Sequence, residues 1–535
     1  MNLKEIRMKK TLLNIAVMSV LASGTAMADS NTADVTQTGL NNITHVDQMG
    51  LATNNLATVV QGGSGNVANT TQYASDSSVA TITQSNGPYG GTTSNNEATI
   101  NQLSATLGNN AEILQTEDSE DSAATINQTG ATNTAIARQI HSGGYSTGGS
   151  VTFVDQNGDQ NDADVTQSHT DGSDADVAQK GALNDATVRQ DSNGPHDAMF
   201  ADVIQNGDSN IAETNQDDAD QSQATVTQTG NFQTATIKQD DSSASTATTD
   251  QADSNGSSAA ITQKNGTLNT ASTTQIDAQD TGATIIQNGS ENDAVIYQYH
   301  MSATTASSRQ VGDLNKSNIN QQHTDASDAT VLQNGNSNDA LIRQYGYGSH
   351  NPASAVINQF GDLNIANVNQ DTSTNASASV TQTGSGNIAD IDQVDGSIAA
   401  SAIITVTGNT NNTVVLQTAA VDSSVTFALA GDSNNVRVTQ SAAENTVTGD
   451  VMGNLNDIDI DQTSVSNNVD VNGLVGVDGS ILDIDQFGAG SHVALVTLAG
   501  TGHIGTISQG GLSQTASLNQ AGTSNTATIL QGAQP

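Results

Sequence analysis

The sequence predicts an all-β fold, an amyloid-like two-sheet parallel β-solenoid of about 22 strand-turn-strand repeats of about 23 residues each. Three observations lead to it: a glutamine-centred motif recurs along the chain, its fixed positions alternate with variable polar ones, and large side chains are scarce. Aromatic residues make up 2% of the 535 residues, Trp and Cys are absent, and Gly occurs 49 times. Such a composition cannot fill a thick globular core, because large apolar side chains supply most of the buried area.

The repeat consists of two half-units. The second is Ser-x-Ala-x-Val-x-Gln, as in residues 173–179, and its last Gln opens the next first half-unit. Joined, the halves give a period near 23 residues, for example from Gln156 to Gln179. The first half-unit is Gln-x-Gly-x-x-Asn-x-Ala-x-x-x-Gln, which occurs ten times without a mismatch, beginning at Gln61, Gln128, Gln156, Gln179, Gln205, Gln287, Gln333, Gln359, Gln382 and Gln520.

Within each half-unit the fixed residues lie two apart, which is the period of a β-strand. One face of each strand therefore carries Ala, Val or Ile, and Gln, and is predicted to point inward, while the variable polar residues point outward. A single repeat buries too little apolar surface to offset its loss of conformational entropy. Successive repeats must therefore stack in register, with Gln and Asn side chains hydrogen-bonded in continuous ladders.

The site residues that this reasoning predicts are structural, and no catalytic, cofactor or metal site is expected. A Gly-x-Ser-x-Gly match at 144–148 lies in a Gly/Ser-rich spacer, and a Gly-x-Gly-x-x-Gly match at 500–505 precedes no helix. The nine His residues show no ligand spacing and are expected at the surface or in turns. The predicted ladder residues are Ser173, Gln179, Gly181, Asn184, Ala186, Gln190, Ser327, Gln333, Gly335, Asn338, Ala340, Gln344, Gln359, Asn364, Gln370, Gln382, Asn387 and Gln393.

Residues 1–28 have the features of a signal peptide. Lysines at positions 9 and 10 precede an apolar run, and Ala26 and Ala28 form a small-x-small cleavage signature. Either Met1 or Met8 would serve as its start. No later stretch approaches the roughly 18 apolar residues of a transmembrane helix. The chain is therefore expected to be secreted, without a membrane span.

The remaining chain divides into three sections by the regularity of its repeats. Residues 29–393 hold regular repeats, and 509–535 hold terminal regular ones. In residues 394–508 some Gln positions are apolar, as at Val406, Leu429 and Val451, while Gly and Asn keep the period. This section is either the same solenoid with a more apolar interior, which the surviving period favours, or a divergent section that meets a partner.

The charge is strongly negative, with a formal net charge of −42. A polyanion of this size is not expected to bind nucleic acid. Many acidic residues, such as Asp162 and Asp390, fall on outward strand positions, where stacking brings like charges together. They favour charge-based resistance to premature aggregation. The alternative is weak, multi-site Ca²⁺ binding, although the Gly-Gly-x-Gly-x-Asp nonapeptide of dedicated Ca²⁺ solenoids is absent.

The combined motif, Ser-x5-Gln-x-Gly-x-x-Asn-x-Ala-x3-Gln, resembles the curlin repeat of bacterial curli fibre subunits over nearly all of the chain after the leader. Residues 173–190 and 327–344 match it at all six fixed positions. The resemblance implies a secreted amyloid subunit of a Gram-negative-type bacterium that forms extracellular fibres for adhesion and biofilm matrix. It also implies partners: copies of the same chain, other curlin-type subunits, and an outer-membrane secretion and nucleation apparatus. The chain departs from the family in having far more repeats and no segment between leader and first repeat.

Two further function classes compete with the fibre subunit. One is a monomeric secreted solenoid that acts as an adhesin or surface-binding rod, stabilised by Ca²⁺; outward Thr pairs such as Thr81 and Thr83 would begin its binding array, but Asp and Arg interrupt the equivalent sites. The other is a β-helical polysaccharide lyase or hydrolase, which would need basic residues and aromatic platforms. With 13 Lys and Arg in 535 residues, the chain is not expected to be an enzyme.

Overall fold

The computed structural model describes residues 30–50, 53–85, 94–103, 107–116, 119–140, 149–192, 198–346 and 352–532, without the side chains of 473–475. Within these residues the chain contains no helix and forms two parallel sheets, wound as a β-solenoid of about 20 turns of roughly 23 residues. The predicted fold class is therefore confirmed. The proposed leader, with Ala26 and Ala28, lies outside the described residues.

The chain divides into two compact units, Met1–Ile204 and Gln205–Pro535. In each unit the odd-numbered strands form one sheet, called the odd sheet, and the even-numbered strands form the even sheet. Strand β14 (Phe200–Asn206) spans the boundary. The other strands of the first unit are β1 Thr32–Gln37, β2 Ile43–Met49, β3 Leu56–Gln61, β4 Val67–Tyr73, β5 Val79–Ser85, β6 Glu97–Leu103, β7 Asn110–Thr116, β8 Ala123–Thr129, β9 Thr134–Ile140, β10 Val151–Asp159, β11 Asp162–Ser168, β12 Asp174–Ala182 and β13 Asp185–Asp191.

In the second unit, too, strands of the two sheets alternate along the chain and are joined by short connecting turns, here called arcs. Its odd sheet contains β15 Ile211–Asp217, β17 Thr234–Ser243, β19 Ser258–Thr267, β21 Gly282–Asn288, β23 Thr305–Val311, β25 Asp328–Asn334, β27 Ala353–Phe360, β29 Ala376–Thr383, β31 Ser401–Thr407, β33 Ser424–Ala430, β35 Thr446–Met452, β37 Asn468–Asp478, β39 Val493–Thr501 and β41 Thr515–Thr523. Its even sheet contains β16 Gln223–Thr229, β18 Thr246–Ala252, β20 Thr270–Gln279, β22 Asp293–Ser302, β24 Lys316–Gln322, β26 Asp339–Tyr345, β28 Ile365–Asp371, β30 Ile388–Val394, β32 Asn412–Thr418, β34 Asn435–Gln440, β36 Asp457–Gln462, β38 Ile481–Gln486, β40 Ile504–Gln509 and β42 Thr526–Gln531.

Alternate residues of each strand form the interior. In β26, Ala340, Ile342 and Gln344 are buried, whereas Asp339 and Arg343 are exposed. Neighbouring strands of a sheet align equivalent residues, as where β25 and β27 place Gln333 beside Gln359. The interior is thus a set of columns of Ala, Val or Ile, and Gln, because a parallel register repeats the same inward face at every turn.

The section with irregular repeats, residues 394–508, forms strands β31–β40 in the same two sheets. Apolar residues replace Gln in the odd sheet alone, where Val406 aligns with Leu429 and Leu429 with Val451. The even sheet keeps its Gln column without a gap, through Gln417, Gln440, Gln462 and Gln486. The change of interior is therefore one-sided, and the odd sheet shifts its register in this section, between Gly449 and Val451 and again after Val471.

Two neighbouring turns of this section compensate for each other in volume. Phe427 has the largest fully buried side chain among the described residues, and it aligns with Gly449 in the next turn. A Cβ at Gly449 would lie 2.1 Å from Cε2 of the Phe427 ring. The ring therefore fills the space that a side chain at Gly449 would occupy, in a column whose flanking members are Ile404 and Val471.

We expect the Phe427→Val and Gly449→Val substitutions to be destabilising singly and tolerated together. Phe427→Val opens a cavity and Gly449→Val overfills the column, and each lowers the free energy of unfolding by about 1–3 kcal/mol. The double variant restores a column of uniform size and should recover most of the loss. Denaturant unfolding of the four proteins measures the coupling; strictly additive losses would contradict the compensation.

Candidate functional site

The inward Gln residues form hydrogen-bonded ladders. Nε2 of Gln333 donates to Oε1 of Gln359 one turn later at 2.9 Å, and Gln344 donates to Gln370 in the same way at 2.9 Å. The second amide hydrogen crosses the interior: Nε2 of Gln344 also donates to the carbonyl of Asp328 on the odd sheet at 3.2 Å. Each amide thus links neighbouring strands of its own sheet and also links the two sheets. Both of its N–H groups are hydrogen-bonded, as a buried amide requires.

The Asn residues of the arcs form a second ladder. Nδ2 of Asn338 donates to Oδ1 of Asn315 at 3.0 Å and to the carbonyl of Gly361 at 2.7 Å, and the backbone N–H of Asn338 donates to the same Oδ1 at 3.1 Å. The opposite arc uses Ser, as where the N–H of Ala353 donates to Oγ of Ser327 at 3.0 Å. Side chains therefore replace the hydrogen bonds that a turn cannot make within itself.

The structure places the predicted ladder residues in these columns. Gly335 lies in an arc and Gly181 near the end of β12, and both are half-buried. Ladder partners one turn away are present for both Gln179 (from Gln156, 2.8 Å) and Gln190 (from Gln167, 2.9 Å). All the non-glycine members are buried: Ser173, Gln179, Asn184, Ala186, Gln190, Ser327, Gln333, Asn338, Ala340, Gln344, Gln359, Asn364, Gln370, Gln382, Asn387 and Gln393.

The ladders end at strands that have one neighbour each among the described residues. At one end β1 pairs with β3 and β2 pairs with β4; at the other, β41 pairs with β39 and β42 with β40. Gln37 and Gln48 donate to the next turn, and no described ladder residue donates to them. At the opposite end Nε2 of Gln531 donates to the carbonyl of Thr515 and has no described ladder residue beyond it. Each end therefore presents a strand edge and unextended Gln columns.

Outward Asp residues lie close together in successive turns. Asp459 aligns with Asp483, and Asp461 aligns with Asp485, on the even sheet. Partial burial raises the pKa of Asp485, and the charges of Asp483, Asp461 and Asp459 raise it further. Burial raises the pKa of Asp162, Asp174, Asp176, Asp185, Asp202, Asp250, Asp390, Asp459 and Asp483 as well.

These shifts predict that mild acid stabilises the repeats. A carboxyl whose pKa is raised in the folded chain holds its proton more tightly there than in the unfolded chain, so ionisation at neutral pH destabilises the fold. This destabilisation decreases as the pH falls through the raised pKa values toward about 4, the ordinary pKa of Asp. Calorimetry should give a higher Tm for the main transition at about pH 4.5 than at pH 7.

A matched variant tests whether these carboxyls are the cause. Asp459→Asn/Asp485→Asn should raise the Tm at pH 7 and flatten its pH dependence, because both side chains lie in the cluster of mutually repelling charges. Asp339→Asn, at an exposed position, is the control. A Tm that falls steadily from neutral to mildly acidic pH in the parent chain would contradict the electrostatic argument.

Two His residues lie in turns, as expected, but are fully buried there, which the sequence did not predict. His492 and His503 lie in arcs, but both are 0% exposed. His45, His169 and His300 are partly exposed, with side-chain exposures of 42%, 51% and 46%. The sequence feature that could have indicated this burial is their position, because each His occupies the place in the repeat that Asn or Ser holds in other turns. The histidines at 141, 196 and 350 lie outside the described residues.

Other expected features have these outcomes. The match at 500–505 runs from the end of β39 into β40, and the match at 144–148 lies outside the described residues. The described ranges contain no group of three or more His, Asp or Glu that could hold a metal ion. No helix long and apolar enough to cross a membrane occurs in them.

Neither the protein-family models nor the curated proteins compared with this chain match it.

Proposed function

We propose that this chain is the secreted structural subunit of extracellular, curli-like amyloid fibres, which resemble pili or fimbriae and serve cell adhesion and the biofilm matrix. The observation that carries the proposal is that the terminal strands at both ends of the described chain have one described neighbour each and carry the inward Gln of the ladders. A parallel in-register stack can continue from one copy to the next by the bonds it uses within a copy.

The residues at the two ends support this mode of assembly. The inward face of β1 carries Ala33, Val35 and Gln37, and that of β42 carries Ala527, Ile529 and Gln531. Both repeat the interior pattern of Ala, a branched apolar residue and Gln. A second copy of this chain is therefore the partner that fits each end. Other curlin-type subunits and an outer-membrane secretion and nucleation apparatus are the further partners that the sequence resemblance implies.

End-directed variants test the proposal. Ala33→Asp and Ala527→Asp place a charge on an end face, at positions that are exposed and half-buried respectively, so the monomer should keep its thermal stability. Thioflavin T fluorescence and electron microscopy should show fibres with a cross-β spacing of about 4.7 Å for the parent chain and strongly slowed elongation for either variant. Thr36→Asp and Thr528→Asp, on the outward faces of the same strands, are the matched controls.

Two results would overturn the proposal. A stable parent chain that remains monomeric and dye-negative at all concentrations would leave the monomeric adhesin as the better assignment. Fibres that grow equally fast from the parent, the inward variants and the outward controls would show that the end faces do not take part in assembly.

A further inference from the structure

The last turns of the chain differ from the rest in charge. Residues 487–532, here called the uncharged C-terminal section, contain no Asp, Glu, Lys or Arg in a chain of net charge −42. They form the four strands β39–β42 and their arcs. The titratable side chains of the section are two histidines, His492 and His503, and both are fully buried. Any change of charge in these turns below neutral pH therefore takes place on those two rings.

Each ring substitutes for a ladder side chain. The backbone N–H of His492 donates to Oδ1 of Asn467 at 3.1 Å, and that of His503 donates to Oγ of Ser480 at 3.0 Å, as an arc Asn would. Nδ1 of His492 then accepts the backbone N–H of Gln514 at 3.3 Å. Its imidazole nitrogen thus takes the acceptor role that Oδ1 of Asn has in earlier turns.

The hydrogen bonds select the neutral form of both rings. Nε2 of His492 lies 2.9 Å from the carbonyl of Phe487, and Nε2 of His503 lies 3.1 Å from that of Ala499, so Nε2 carries the proton. In His492 the accepted N–H leaves no room for a proton on Nδ1. In His503 Nδ1 is buried and has no hydrogen-bond partner among the described residues. A second proton would face a donor in one ring and no acceptor in the other.

Among the described residues, no counter-ion faces the rings. The arcs before and after that of His492, residues 463–467 and 510–514, contain no charged side chain. Of the arcs beside that of His503, residues 521–525 are uncharged and 476–480 contain Asp478, which is exposed. The Asp478 carboxylate accepts the N–H and Nδ2 of Asn454 at 2.7 and 3.1 Å. On the adjoining strands β37 and β38, the acidic side chains Asp470, Asp483 and Asp485 occupy outward positions, on the opposite face from the interior.

We propose that His492 and His503 form an acid-sensitive latch, which holds β39–β42 in the stack at neutral pH and releases them on acidification. Imidazole in an unfolded chain takes up a proton near about pH 6.5, whereas a proton on either buried ring would create an unpaired buried charge. Acid therefore favours the opened turns, in which water can solvate a protonated ring. The direction is opposite to that of the Asp residues, so acid opens these turns while it stabilises the others.

The latch would regulate assembly at one end, a consequence that rests on the proposed fibre function. The C-terminal face receives another copy only while β41 and β42 are in place. Its turns also carry no negative charge to repel that copy. Growth at this end is therefore expected to stop on acidification.

Hydrogen exchange of the unassembled full chain tests the latch without fibres. Protection factors, corrected for the intrinsic exchange rate, should fall at least about tenfold in β39–β42 between about pH 7.5 and about pH 5.5, and should not fall in β24–β28. His492→Asn/His503→Asn should abolish the fall, since Asn is the arc residue of earlier turns. His300→Asn, at a partly exposed ring, should leave the fall unchanged.

If the double variant does not fold, the single His492→Asn and His503→Asn variants, or the corresponding Gln variants, replace it. Each single change should remove part of the acid-induced fall in protection. Unchanged protection of β39–β42 in the parent chain, or an equal fall in the Asn variants, would overturn the latch. A chain that never forms fibres but shows the fall refutes the proposed function and leaves the latch standing. If fibres form, the acid limit of their growth should move to lower pH in the Asn variants.

Discussion

Replacing Gln344 by Glu is expected to destabilise the second unit by about 3–5 kcal/mol at pH 7, the effect of leaving a buried charge without a partner. Nε2 of Gln344 donates to Gln370 at 2.9 Å and to the Asp328 carbonyl at 3.2 Å. A carboxylate would turn both contacts into oxygen facing oxygen. Denaturant unfolding, followed by circular dichroism, measures the loss.

Two comparisons separate the charge from the lost hydrogen bonds. Gln344→Leu should cost less, because the chain itself places Leu429 and Leu498 in the corresponding column of the odd sheet. Arg343→Glu, one residue away and exposed, should change stability by no more than about 0.5 kcal/mol. Burial raises the pKa of an isolated carboxyl, so the Gln344→Glu variant should regain part of its stability at mildly acidic pH. Equal losses for Gln344→Glu and Arg343→Glu would contradict the assignment of faces.

The second large effect is expected for Gly335→Ala, with a loss of about 2–4 kcal/mol from backbone strain and overpacking together. Gly335 has a φ of 137°, and a Cβ there would lie 2.0 Å from the carbonyl oxygen of Gly361 in the next turn. Any shift of the arc would also disturb the 2.7 Å bond that Nδ2 of Asn315 donates to the carbonyl of Gly335. Thermal unfolding and hydrogen exchange of the adjoining turns measure the change.

Gly396→Ala is the matched control for this glycine. Gly396 also has a positive φ, of 81°, but a Cβ there would meet no atom within 4 Å. Its replacement should therefore lose only the conformational term, about 1 kcal/mol. Similar losses at the two positions would show that stacking of the arcs is not what requires Gly335.

The periodicity of the sequence was sufficient to predict the strands and their inward faces. Alternation at two-residue intervals assigns Ala340, Ile342 and Gln344 to the interior of β26, and the structure buries all three. A one-residue slip would expose the whole set, so the buried face determines the register. The ladder residues could be predicted from the sequence for the same reason, since parallel in-register pairing places identical side chains of successive repeats next to each other.

The departures from this regularity could not be predicted in the same way. The apolar replacements in residues 394–508 were visible, but their confinement to the odd sheet depends on which strands become neighbours. The match of Phe427 with Gly449 likewise depends on contact between residues in adjacent turns. The burial of His492 and His503 was missed, because only their position in the repeat indicates it, and the residue type does not.

The sequence by itself therefore determined the fold class, the repeat length, the inward face of the strands and the residues of the ladders. These follow from local spacing that recurs at every turn. Only the tertiary structure decided which amide donates to which carbonyl, which sheet loses its Gln column, and which ring nitrogens are enclosed without a counter-ion. Those properties depend on distances between residues that are 16 to 26 positions apart along the chain, and such contacts exist only once the strands have folded onto one another.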